Sequence, residues 1–111
     1  MTTIKPAIYL AGPMSGIAEY NFPAFFAAAD LLEAEGYEVF NPAQNDLDNW
    51  GDMDGVKQHA TYRECLRQDL DWICRKADFI ALLPGWENSK GARVEHALAS
   101  AIGLEFRYLE H

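Results

Sequence analysis

The segment Ser-Lys-Gly-Ala-Arg-Val-Glu-His-Ala, residues 89–97, follows a short apolar stretch and a loop. The apolar stretch, Asp78–Leu83, is long enough for one buried strand. Pro84 begins the loop, and the Ala-rich sequence Ala92–Ile102 predicts a helix that ends at Gly103. A strand, a loop and a helix therefore follow one another here. In open α/β sheets such a junction is the usual ligand crevice.

The rest of the chain repeats this alternation of strands and helices. Apolar residues recur at helical spacing after Asn21, the predicted N-cap, and Gly36 ends that helix. A second helix is predicted from about Val56 or Thr61 to Lys76. Further strands are predicted at Ala7–Ala11, Tyr37–Phe40 and Glu105–Leu109. The order β-α-β-α-β-α-β predicts one α/β domain over residues 1–111, with four to five parallel strands and helices on both faces.

The segment Asn41–Gly55 interrupts this pattern because it is strongly polar. It contains four Asp, three Asn and two Gly. We interpret it as a long loop, and long loops in compact domains are often functional. A mobile acidic surface segment is an equally good interpretation.

The composition excludes several classes of function. The net charge is −8, which argues against binding to a nucleic acid polymer or an anionic membrane. We find no signal peptide and no apolar run of about 18 residues, so we expect a soluble cytoplasmic protein. Cys65 and Cys74 form no Cys-x-x-Cys motif, and His59 and His96 are isolated. We therefore predict neither a metal site nor a cofactor.

Two carboxylates lie on predicted inward-facing helix surfaces. Asp69 falls within the apolar stripe of Tyr62, Leu66 and Ile73, and Glu95 falls in the first turn of the last predicted helix. A buried carboxylate is costly unless it is paired or used. Each could be structural on its own: Asp69 as a buried cap or a member of an ion pair, and Glu95 as a first-turn residue that only stabilises its helix. Together, at one edge of the sheet, they match the paired carboxylates that cleave glycosidic bonds.

Other side chains near this edge could bind a ligand. Tyr9 could add a hydroxyl to the carboxylate pair, or it could be an ordinary strand aromatic. Trp86 could stack on a base or simply cover the end of a strand. Amides at a helix N-terminus and nearby cations favour an anion. The remaining candidate binding residues are Gly12, Ser15, Gly16, Ser89, Gly91 and Arg93, with Lys90 as a second local cation.

Three blocks of sequence resemble the nucleoside 2-deoxyribosyltransferase family, and most closely its 2'-deoxynucleoside 5'-phosphate N-hydrolase branch. They occur in the family order and span most of the chain. The blocks are Tyr9-Leu10-Ala11-Gly12-Pro13, then Gln68-Asp69-Leu70-Asp71-Trp72 with Ala77-Asp78, and finally Ser89, Gly91 and Glu95-His96-Ala97. The first loop departs from the hydrolase branch, because Met14 and Ser15 stand where a basic residue is common.

The resemblance implies a flavodoxin-like, Rossmann-like three-layer sandwich and a homodimer. It implies that Glu95 attacks C1', that Asp69 assists the leaving base, and that Tyr9 orients Glu95. Ser89, six residues before Glu95, is typical of the branch that uses nucleoside 5'-monophosphates rather than free nucleosides. The segment Gly91–Glu95 is also similar to the Gly-Thr-x-x-Glu motif of cytokinin-type phosphoribohydrolases, which cleave the same kind of bond.

Two function classes therefore stay open from the sequence. The first is an N-glycosidase or deoxyribosyltransferase that acts on a nucleotide or nucleoside. The second is a nucleotide-binding sensor module of the same fold that lacks turnover. A receiver domain is disfavoured, because it needs an acidic pair after the first strand, where this chain has Gly12, Pro13 and Met14.

Overall fold

A computed structural model describes residues 4–110, so residues 1–3 and 111 of the predicted domain lie outside the described part. Its centre is a four-stranded parallel sheet with the strand order β2-β1-β3-β4. The strands are β1 (Ala7–Ala11), β2 (Glu38–Phe40), β3 (Phe79–Leu82) and β4 (Glu105–Tyr108). Every residue of β1 is buried, which fits its place between two neighbouring strands. All four predicted strands are confirmed to within a few residues.

Within residues 4–110, five α-helices accompany the sheet. They are α1 (Phe22–Ala34), α2 (Pro42–Trp50), α3 (Met53–His59), α4 (Tyr62–Lys76) and α5 (Lys90–Ala101). The predicted helices correspond to α1, α4 and α5. Asn21 occupies the N-cap position of α1 as predicted, but its side chain makes no capping hydrogen bond. Instead, Asn21 Nδ2 donates to the carbonyl of Pro13 at 3.0 Å and so ties the loop after β1 to the start of α1.

The prediction of a long loop at Asn41–Gly55 is wrong, because this segment forms α2 and begins α3. The Asn41 side chain caps α2 by accepting from the amide of Ala43, and Pro42 fits the first turn, where no amide donor is needed. Asp52 caps α3 in the same way by accepting from the amide of Gly55. The polar residues at 41–55 therefore serve as helix caps and as the outer surface of two short helices.

Two apolar cores lie on opposite faces of the sheet. Ile8 and Leu10 of β1 pack in one core with α1 and with residues of α2 and α3. Tyr9 and Ala11 point to the other face and pack with residues of α4 and α5. This alternation along one strand is what a sheet covered on both sides requires. The predicted three-layer α/β fold, flavodoxin-like and Rossmann-like, is confirmed.

No helix between residues 4 and 110 has both the length and the apolar character needed to cross a membrane.

Candidate active site

Tyr9, Asp69 and Glu95 meet at the carboxyl edge of the sheet, as the sequence predicted. The Tyr9 hydroxyl donates a hydrogen bond of 2.8 Å to Oε2 of Glu95. Tyr9 is fully buried, and Asp69 and Glu95 are 8% and 5% exposed. The Tyr9 ring stacks on Phe40 with a centroid distance of 5.4 Å, so its hydroxyl is held in a fixed direction. Strand β1 and helices α4 and α5 thus bring three polar side chains together in a buried position.

The position of Glu95 within its helix differs from the prediction. Because α5 begins at Lys90, Glu95 is its sixth residue and lies in the second turn rather than the first. The helix macrodipole acts mainly within the first turn, so its contribution at Glu95 is smaller than the sequence indicated. The Tyr9 hydroxyl is the group that stabilises the ionised form of Glu95.

Burial raises the pKa values of both carboxyls, and a neighbouring negative charge adds to each effect. Loss of water raises the pKa of Glu95 well above its usual range, and the charge of Asp69 raises it further. The hydrogen bond from Tyr9 acts in the opposite direction and lowers the pKa of Glu95. Burial also raises the pKa of Asp69, and the charge of Asp46 adds to the effect. Two such carboxyls ionise one at a time, so the pair retains a proton near neutral pH.

These groups line a cavity of about 260 Å³ that contains most of the predicted binding residues. The predicted residues that line it are Tyr9, Gly12, Ser15, Asp69, Ser89, Gly91 and Glu95. Phe22, Phe25 and Val56 form part of an apolar wall. A cavity with an apolar wall and a few converging polar groups is typical of a small-molecule site.

Two glycines allow the backbone to approach its neighbours closely around the cavity. A Cβ atom on Gly12 would lie 2.8 Å from the Cβ of Leu83, so any larger residue would clash with the end of β3. A Cβ on Gly91 would lie 3.0 Å from the hydroxyl of Tyr62. Tyr62 was predicted to lie on the buried stripe of α4, but its side chain is 58% exposed at the edge of the cavity.

Three predicted binding residues do not line this cavity: Gly16, Trp86 and Arg93. Gly16 lies in an exposed turn with φ of 80°, and Arg93 is exposed on α5. Trp86 stacks on His96 with a centroid distance of 4.4 Å and an angle of 12° between the rings. A role for these residues in binding stays a prediction.

The local features that could hold an anion are a serine and one lysine. The Ser89 hydroxyl caps α5 by accepting from the amide of Ala92 at 3.2 Å, which leaves its proton available to a ligand. Among the residues at 4–110, Lys57 of α3 supplies the one cationic side chain on the cavity wall. Neither Lys90 nor Arg93 lines the cavity, although the sequence placed both near Ser89.

Asp46 is a third buried carboxylate at this cavity, and sequence reasoning missed it. It is 7% exposed and lies on α2, inside the segment that was interpreted as a loop. Its Oδ1 accepts a hydrogen bond from the thiol of Cys65 at 3.7 Å. Burial raises the pKa of Asp46 to about 6. Burial of the Cys65 thiol, together with the charge of Asp46, raises the pKa of this thiol to about 12. Recognition of Asn41-Pro42 as a helix start would have placed Asp46 on the inner face of α2.

The three carboxylates do not form a metal site. Within residues 4–110, no group of three or more His, Cys, Asp or Glu side chains is arranged to hold a metal ion. The site thus consists of a hydrogen-bonded tyrosine and glutamate, two further buried carboxyls, and an anion-compatible helix start.

The fold and the site define an α/β domain with a carboxylate-lined cavity at the end of a parallel sheet. The chain belongs to the family described as a domain of unknown function, DUF4406, whose sequence profile matches residues 6–108. Searches of curated proteins and of solved structures returned no match.

Proposed function

We propose that this chain is an enzyme that cleaves the N-glycosidic bond of a nucleoside 5'-monophosphate or nucleoside, with Glu95 as the nucleophile. The hydrogen bond between Tyr9 and Glu95, buried beside Asp69 in a cavity, is the observation that supports this proposal best. The resemblance of three sequence blocks to the nucleoside 2-deoxyribosyltransferase family supports the same reaction class.

In this mechanism Glu95 acts as the nucleophile and Asp69 acts as the general acid. An ionised Glu95 oxygen attacks C1' of the sugar, and the bond between C1' and the base nitrogen breaks. Asp69, in its protonated form, donates its proton to the leaving base. The product of this step is a glycosyl ester on Glu95. Water or a second base then attacks C1' and releases Glu95, with overall retention of configuration.

The environment of the pair supports the acid role of Asp69 more directly than the nucleophile role of Glu95, because burial raises the pKa of both carboxyls. The burial of Asp69 raises its pKa, which favours the protonated acid near neutral pH. The Tyr9 hydroxyl donates to Glu95 and favours its ionised form, against the effects of burial and of Asp69. The mechanism therefore needs the single retained proton to reside on Asp69 when the substrate is bound.

A 5'-phosphate would be accommodated near the start of α5. The Ser89 hydroxyl can donate to a phosphate oxygen, and the first amides of α5 carry a partial positive charge. An aspartate in place of Ser89 would repel a dianion. Lys57, which also lines the cavity, adds a full positive charge to an otherwise acidic cavity.

The proposal is tested by incubating the protein with a panel of nucleosides and 5'-monophosphates and following the reaction by mass spectrometry. We expect free base in solution and a glycosyl adduct on Glu95. Glu95→Gln should abolish both at an unchanged melting temperature, whereas Glu105→Gln, an exposed position on β4, should leave them unchanged.

Equal turnover by wild type and Glu95→Gln would refute the assignment of Glu95 as the nucleophile. A bound nucleotide that is recovered intact with no free base would instead favour the sensor module. Addition of a second base during the reaction separates hydrolysis from transfer, because only transfer yields a new nucleoside.

A further inference from the structure

Asp46 has no role in the mechanism above, although it is buried in the same cavity. It is 7% exposed, which is comparable to Asp69 and Glu95. Its Oδ1 accepts a hydrogen bond from the Cys65 thiol, which is a weak donor. Its Oδ2 accepts no hydrogen bond from the side chains that the structure describes. The burial of a carboxylate that accepts one weak hydrogen bond is costly, and the contact that Asp46 keeps with solvent at the cavity offsets only part of this cost. A ligand that donates hydrogen bonds would relieve this cost.

The surroundings of Asp46 restrict the shape of that ligand. The cavity that Asp46 lines has several apolar residues on its wall, with Pro42 on the same helix, Val56 on α3, and Phe22 and Phe25 on α1. A flat aromatic heterocycle can pack against such a wall while one of its edges meets the carboxylate. This arrangement suits the base of a nucleotide rather than its sugar or phosphate.

The acceptor pattern of a carboxylate restricts the base. An ionised carboxylate offers two parallel acceptors and no donor. Guanine presents two adjacent donors, the ring N1–H and the 2-amino group. Adenine and cytosine present an amino group beside a ring acceptor, and thymine flanks one N–H with two carbonyl oxygens. Only the guanine edge matches both oxygens without repulsion.

We infer that Asp46 determines the base specificity of this site by accepting hydrogen bonds from N1–H and the 2-amino group of guanine. This inference rests on the proposed function in taking the ligand to be a nucleotide. It assigns α2 and α3, the segment between β2 and α4, to base selection. It leaves the chemistry at C1' to Tyr9, Asp69 and Glu95.

The test compares the binding of 2'-deoxyguanosine and 2'-deoxyinosine 5'-monophosphates by calorimetry at pH 8. Glu95→Gln protein is used so that turnover does not interfere. The inosine compound differs only by the absence of the 2-amino group. We expect the guanosine compound to bind about tenfold more tightly or better, the effect of one hydrogen bond to a charged group. Adding Asp46→Asn should reduce the ratio to below about threefold.

Asp48→Asn is the matched control, because Asp48 is exposed on the same helix and its substitution changes the charge equally. It should preserve the preference for guanine. Equal binding of the two nucleotides to the Asp46-containing protein would overturn the inference, and this comparison does not depend on any Asp46 variant folding. A preference that persists in Asp46→Asn would also overturn it.

The outcomes separate this inference from the proposed function. Nucleotide binding without guanine preference contradicts only the role of Asp46. A guanine preference that depends on Asp46, in a wild-type protein without turnover, contradicts only the proposed reaction. Failure of every nucleotide to bind contradicts both.

Discussion

Replacing Asp46 with asparagine should stabilise the protein at alkaline pH and remove part of its pH dependence. Burial raises the pKa of Asp46 from its usual 3.8 to about 6. An acid whose pKa is higher in the folded state holds its proton more tightly there. The stability that the protonated Asp46 contributes is therefore fully present below the pKa of the unfolded chain, near 4. It is lost as the pH rises through about 6.

The magnitude follows from the size of the shift. A change of about two pKa units corresponds to about 3 kcal/mol between the fully protonated and fully ionised limits. Between pH 4 and pH 8, the free energy of unfolding of Asp46→Asn should rise relative to wild type by about 2 kcal/mol. Asparagine keeps the shape of the side chain and cannot ionise, so the substitution leaves the packing of α2 unchanged.

Urea denaturation of both proteins at pH 4, 6 and 8 measures this difference, and it needs no substrate. Asp48→Asn on the outer surface of the same helix is the control, and its effect should stay within about 0.5 kcal/mol at every pH. Free energies of unfolding of wild type and Asp46→Asn that change with pH in parallel would refute the reasoning. They would show that Asp46 ionises as easily in the folded chain as in the unfolded one.

Four further predictions concern the site and the surface. Asp69→Asn should lower kcat about a hundredfold or more without lowering the melting temperature, and a large loss of stability would indicate a structural role instead. Ser89→Asp should shift kcat/KM from 5'-monophosphates toward free nucleosides, and an unchanged preference would contradict phosphate binding there. Gly12→Ala should destabilise the fold by about 1–3 kcal/mol in urea, because its Cβ would clash with Leu83. Sedimentation at micromolar concentration should show a homodimer that covers the exposed apolar side chains of α5, and a monomer would contradict this.

The sheet and the pair of buried carboxyls were predictable because each depends on local pattern. Buried strands read as short apolar runs, and β1 and β3 occur where those runs stand. Asp69 and Glu95 stood out because a carboxylate within an apolar stripe breaks the pattern at helical spacing. The Tyr9–Glu95 distance was not predictable, since it depends on how a strand and a helix pack 86 residues apart.

The segment between β2 and α4 was not predicted because its signals were read as loop signals. Asn, Asp and Gly are common in loops, but Asn41 and Asp52 serve here as helix caps. Asp46 and Lys57, which the sequence did not identify as site residues, lie on α2 and α3. The error in assigning residues 41–55 thus removed Asp46 from the candidate site residues, whereas Lys57 lies beyond that segment, near the predicted start of the second helix.

The hydrogen bond between Tyr9 and Glu95 also constrains when the site can form during folding. It joins residues separated by 86 positions, so the donor is synthesised long before the acceptor. Contacts this distant in sequence form late, because the chain between them must be ordered first. While the residues beyond α4 are not yet synthesised, the cavity still lacks its glutamate. The hydrogen-bonded pair of Tyr9 and Glu95 is therefore complete only when α5 docks, and a partly folded chain carries no assembled site.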